Sequence, residues 1–183
     1  MITRVLIMKF VRLKIFFFVL AITLSSGSIY ANQSVESFFS TKAFLNICVS
    51  SRGNPEIINK QAKNMGFIQM PTEYAAHFLK NYNGNAWMIS SSEGKFFITQ
   101  LDNGVCSLFI NKGNSTEIQK SLESWLPPKS TGLTYKKEIS KDKNLTTTNY
   151  IISKDGKALE TWIYTSSSEK NASLVAVISH QMN

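Results

Sequence analysis

The sequence predicts an α+β domain, with helices packed on one face of a multi-stranded antiparallel sheet and one disulfide stapling the two layers. Three observations carry this prediction. Most segments with apolar residues at helical spacing come before residue 85, and seven strand-like runs separated by Gly, Asn and Asp turns lie beyond it. The chain has only two cysteines, Cys48 in a helical segment and Cys106 just after the turn Asn103-Gly104.

The N-terminus reads as an export signal. Basic residues at Arg4, Lys9, Arg12 and Lys14 precede an apolar run over residues 15–24, and Ser25-Ser-Gly-Ser-Ile-Tyr-Ala31 makes a small-residue exit. The run is shorter than a membrane span requires. Cleavage is expected after Ala31, although Ile29 is an unusual residue at the −3 position, and Met8 offers an alternative start. The expected organisation is therefore a signal peptide over 1–31 and a single α+β domain over 32–183, periplasmic or secreted, with no integral membrane span after processing. Loss of the four basic residues and no acid lowers the formal charge from +8 to +4. In an oxidising compartment two cysteines most simply form one bridge, here Cys48 to Cys106. Closing a loop of that length stabilises a fold by roughly 4 kcal/mol on the chain-entropy estimate.

Taken in order, residues 34–49 read as a helix with Phe44, Leu45 and Cys48 on neighbouring parts of one face. Pro55 begins a second helix over 55–65, ended by Gly66. Thr72 is the expected cap of a third, containing Tyr74, Ala75, Phe78 and Leu79. Strands follow over 86–90, 95–101 and 105–110. Read as a two-residue turn, Asn103-Gly104 sets Leu101 opposite Cys106, Thr99 opposite Leu108 and Phe97 opposite Ile110. Phe97, Leu101, Cys106, Leu108 and Ile110 would then share the core face. A helix over 115–126, with Ile118, Leu122 and Trp125 in one stripe, is capped by Asn114 or Ser115 and stopped by Pro127-Pro128. Four strands complete the chain, over 133–140, 145–153, 158–166 and 172–180. The last is apolar on both sides and belongs in a sheet centre.

Little in the sequence points to catalysis. His77 and His180 have no metal-ligand spacing around them, no cofactor or metal site is expected, and a disulfide leaves no thiol nucleophile. Lys136, Lys137, Lys141 and Lys143 read as a lysine-protected strand edge rather than a nucleic-acid surface. Trp162 and Tyr164 share a strand face. If the opposite face with Leu159 and Ile163 is the buried one, they form an exposed aromatic stripe suited to an interface.

The order Phe44-x-x-x-Cys48-Val49, Gly53, Pro55, Ala62, Gly66-Phe67, Trp87 and Asp102-x-Gly104-x-Cys106-x-x-Phe109 resembles a family of small exported proteobacterial proteins of uncharacterised function, over residues 38–126. The resemblance implies a Cys-bearing helix on a Gly-x-Cys hairpin and an envelope location, and no activity. Asn103 departs from the common pattern, as do the Lys- and Asn-rich C-terminal strands. Small proteins of this kind also serve as periplasmic accessory subunits of envelope machines, including type IVB secretion systems. The expectation is a non-catalytic protein that binds another envelope protein. The alternatives are a cell-envelope hydrolase using carboxylates and a secreted enzyme inhibitor.

Overall fold

A computed structural model describes residues 34–169 and 171–183, so the expected signal peptide lies outside the described residues. Helix α1 (Val35–Ala43) runs directly into a π-helical turn (Phe44–Val49). Helices α2 (Pro55–Asn64), α3 (Thr72–Leu79) and α4 (Ser115–Glu123) accompany strands β1 (Ile68–Gln69), β2 (Gly84–Ser91), β3 (Gly94–Leu101), β4 (Cys106–Ile110), β5 (Leu133–Asp142), β6 (Leu145–Lys154), β7 (Lys157–Ser167) and β8 (Ala176–Met182). The strands form one antiparallel sheet in the order β1-β2-β3-β4-β8-β7-β6-β5. After β4 the chain crosses through α4 to the far edge and returns as a meander, so the apolar strand β8 closes the centre against β4.

The helix ends follow side-chain chemistry. Ser34 accepts a hydrogen bond from Ser37 N at the start of α1, and Asn54 Oδ1 accepts from Glu56 N and Ile57 N at the start of α2, where Pro55 occupies the first turn. Asn114 caps α4 in the same way. The expected Thr72 cap is not made: Pro71 stands at the cap position without a side-chain bond, and Thr72 is the first helical residue. The two-residue strand β1 gave no sequence signal. Two residues are too few to show a period.

The Cys48–Cys106 disulfide is present, with Cα atoms 5.3 Å apart across a sequence separation of 58. It joins the π-helical turn to the middle of the sheet. In that turn Ser50 N bonds to Leu45 O, one residue farther than in an α-helix. Phe44, Ile47 and Cys48 are completely buried against the sheet, whereas Leu45 is only half-buried.

The hairpin beside the disulfide differs from the expected register by one residue. Gly104 N bonds to Leu101 O and Leu101 N to Val105 O, so the loop has three residues, Asp102 to Gly104, and Gly104 alone takes a positive φ of 87°. The pairs are Gln100 with Cys106, Ile98 with Leu108 and Phe96 with Ile110. Phe96 and Ile98 therefore enter the main core, and Phe97 and Leu101 face the other side. Alternation could not decide between them, because β3 is apolar on both parities.

The other side is not bare. Helix α3 lies on it, with Phe78 stacked on Phe97 at 4.4 Å and edge-on to Phe109 at 5.4 Å, while Ala75, Leu79 and Ala86 form a small second cluster. The main core gathers α1, the π turn, α2 and α4 over Trp87, Phe96, Ile98, Leu108, Ile110, Ile178 and Tyr164. Each buried Phe, Ile and Leu among them contributes about 1.5–3 kcal/mol by leaving water.

Gly53, in the turn leaving the π segment, has φ 79°, and a Cβ there would lie 3.1 Å from Gly104 O. Gly104 has open space around its own Cβ position. Both substitutions to Ala incur the left-handed cost of about 1–2 kcal/mol, but only Gly53→Ala also pushes the helical layer off the hairpin. Urea denaturation should therefore show a larger loss for Gly53→Ala than for Gly104→Ala; equal losses would show that the two turns are not in close contact.

Candidate binding groove

Helix α1 and the π turn carry apolar residues on two sides. The inner side packs on the sheet, and Thr41 Oγ1 donates to Ser121 Oγ at 2.6 Å, a small buried contact that lets α1 approach α4 closely. The outer side places Phe38, Lys42, Leu45 and Val49 at intervals of four, three and four residues, one stripe along the helix. Trp125 completes the wall from the end of α4. Together these residues line a half-open, mainly apolar groove of about 470 Å³, with Asn46 and Ser50 on its polar margin. Phe38 is 51% and Trp125 59% exposed. Lys42 Nζ stands 5.9 Å from the centroid of the Phe38 ring, so its stem covers part of the aromatic face while its charge stays in water.

Trp125 reaches the groove because α4 ends early. The spacing 118, 122, 125 predicts one buried stripe, but the helix stops at Glu123. Ile118 and Leu122 are completely buried, and Trp125 falls outside the helical register. The approaching Pro127-Pro128 is the sequence feature that signals this early stop.

The expected interface residues Trp162 and Tyr164 are not on the surface. Their exposures are 4% and 1%, so the aromatic stripe belongs to the core. Trp162 pairs with His180 and meets the Phe44 ring edge-on at 5.6 Å, while Tyr164 pairs with Ile178 and its hydroxyl donates to Ser115 O at 2.6 Å. Burial pushes the Tyr164 phenol well above its ordinary range. Leu159 and Ile163 lie on the opposite, half-buried face.

His180 is completely buried in β8 directly beside Cys106, and its Nε2 lies 2.9 Å from Glu160 Oε2. Gln100, Cys106, His180 and Trp162 thus form one row across the sheet. Gln100 Oε1, His180 Nδ1 and Trp162 Nε1 have no hydrogen-bond partner among the described residues. His77, in contrast, is exposed on α3.

A second polar cluster fixes the end of α4 that presents Trp125. Glu123 Oε1 accepts from Lys137 Nζ at 2.7 Å and from Tyr150 Oη at 2.6 Å, and Gln119 Nε2 donates to Tyr150 Oη at 3.0 Å. Burial acts to raise the Glu123 pKa, but hydrogen bonds from Lys137 and Tyr150 outweigh it, leaving the carboxyl below its usual range. Burial, aided by the bond to Glu123, holds the Tyr150 phenol well above its usual range. Among the described residues no group of three or more His, Cys, Asp and Glu is arranged to hold a metal ion, and no helix is long and apolar enough to cross a membrane.

Because the Glu123 pKa is depressed on folding, its stabilising contribution is present above the unfolded carboxylate pKa of about 4.3 and is lost as pH falls through the lower folded value. Glu123→Gln should cost about 1 kcal/mol near neutrality, allowing for partial exposure. Thermal melts of both proteins should converge as pH is lowered below the ordinary carboxylate range. A gap that persists at low pH would contradict the assignment.

Comparison with protein-family models, with curated proteins and with solved structures finds no match. The functional reading therefore rests on the geometry of the chain itself, and above all on the groove between α1, the π turn and Trp125.

Proposed function

We propose that the chain is a non-catalytic periplasmic or exported protein that acts by binding another envelope protein, as an accessory component of an envelope or secretion assembly. The observation that carries this reading is the groove of Phe38, Leu45, Val49 and Trp125. The groove is half-open and almost wholly apolar, with Asn46 and Ser50 only on its margin, so it lacks the converging polar groups that orient a small-molecule ligand. Exposed Trp and Phe side chains beside a concavity are the residues that dominate protein interfaces.

The acids support a binding role over hydrolysis. Glu36 pairs with Lys112, Glu123 with Lys137, Glu138 with Lys136 and Glu160 with His180, while Glu93 accepts from Ser92. These five carboxylates are dispersed into separate contacts, and both thiols are consumed in the disulfide.

Trp125→Ala and Phe38→Asp should each weaken capture of the partner from envelope extracts at least about tenfold, the usual result of truncating an interface anchor. Their circular dichroism and melting should stay near wild type, because both side chains are exposed. A protein that emerges alone from extracts in every growth condition, or a partner captured equally by both variants, would overturn the reading.

A further inference from the structure

The two ends of the sheet are unequal. Among the described residues, one edge is the two-residue β1, and the other is β5, ten residues long. Asp142 and Leu145 enclose a two-residue turn, which makes them a hydrogen-bonded pair. Counting back in twos, Ser140, Glu138, Lys136 and Thr134 bond to β6. The backbone groups of Leu133, Tyr135, Lys137, Ile139 and Lys141 therefore point away from the sheet. Tyr135 is 47% and Ile139 59% exposed on this strand. A long edge with apolar side chains and an open backbone ladder is a template for strand addition.

We propose that this edge pairs with the same edge of a second copy, antiparallel about a two-fold axis at Lys137, giving a continuous sheet through both chains. The charge pattern selects this register. Centred on Lys137, Lys136 stands opposite Glu138 of the other copy as well as 2.7 Å from Glu138 of its own strand, so the two intrachain pairs join into one alternating four-charge cluster, and Tyr135 stands opposite Ile139, each contact occurring twice by symmetry. The Lys136 and Glu138 positions fall in non-hydrogen-bonded pairs, where side chains approach most closely. The two Lys137 side chains meet at the axis, but each brings the carboxylate of Glu123, 2.7 Å from its ammonium. Shifting the axis by one residue places Lys136 against Lys136 or Glu138 against Glu138. A shift toward the turn that instead matches Lys136 with Asp142 sets Lys137 against Lys141 twice. The charge pattern thus favours one self-pairing register, centred on Lys137.

Sedimentation equilibrium of the purified exported chain tests the proposal, with circular dichroism checking the fold of each variant. Wild type should show a monomer–dimer equilibrium. Ile139→Pro removes one outward N–H and no bond to β6, and should weaken dimerisation at least about tenfold. Lys136→Glu should also weaken it about tenfold, and Lys136→Glu combined with Glu138→Lys should restore it, because the pairs are re-formed with signs exchanged. Phe38→Asp in the groove should leave the equilibrium unchanged. A wild type monomeric at about 1 mM, a dimer indifferent to Ile139→Pro, or a charge swap that fails to restore pairing would each overturn it.

Discussion

The covalent link between Cys48 and Cys106 is the constraint on which the other features depend. It fastens a helical turn to β4, next to the strand that closes the sheet centre, and it does so where the backbones also come close, at Gly53 and Gly104. Around it Phe44 and Ile47 are pressed onto the sheet and Trp162 is pinned beneath Phe44. With the inner side of α1 and the π turn committed in this way, the apolar residues left over, Phe38, Leu45 and Val49, are the ones that form the groove. A loop of this size gains roughly 4 kcal/mol from such a tie, a large part of the net stability of an ordinary domain.

The layer architecture and the disulfide were legible in the sequence because their signals are strong and local. Asn54-Pro55 and Gly66 bracket α2, Asp155-Gly156 makes a tight hairpin, and two cysteines permit one intrachain bridge. The parts that were not legible fail for specific reasons. The register at Cys106 turned on whether Asn103-Gly104 made a two- or three-residue loop, and β3 has apolar side chains on both parities. Trp162 and Tyr164 could be assigned to core or surface only once β7 was known to pair with β8 under Phe44 and α4. Trp125 continues the spacing of a buried stripe, but α4 stops two residues short of it. His180 sits in the chain's last four residues, and only the placement of β8 between β4 and β7 explains its complete burial.

The proposed partner groove and the proposed β5 pairing occupy separate surfaces of one fold. The groove lies beyond the helical layer and the open strand lies at the far end of the sheet, with Glu123 and Lys137 joining the end of α4 to that edge. An occupant of the groove and a second copy at β5 would therefore use separate side chains on a shared support. The buried row of Gln100, His180 and Trp162 beside the disulfide holds three polar atoms without a hydrogen-bond partner among the described residues. Unpaired polar atoms in such a place cost free energy, which makes the covalent tie next to them all the more necessary.

The most direct test is amide hydrogen exchange on the oxidised protein and on the double variant Cys48→Ala/Cys106→Ala. The account predicts that protection falls first and furthest in α1 and the π turn, while the β5–β7 meander stays protected. Unchanged protection over Val35–Val49 in the variant would contradict the claim that the two sulfurs hold the helical layer on the sheet.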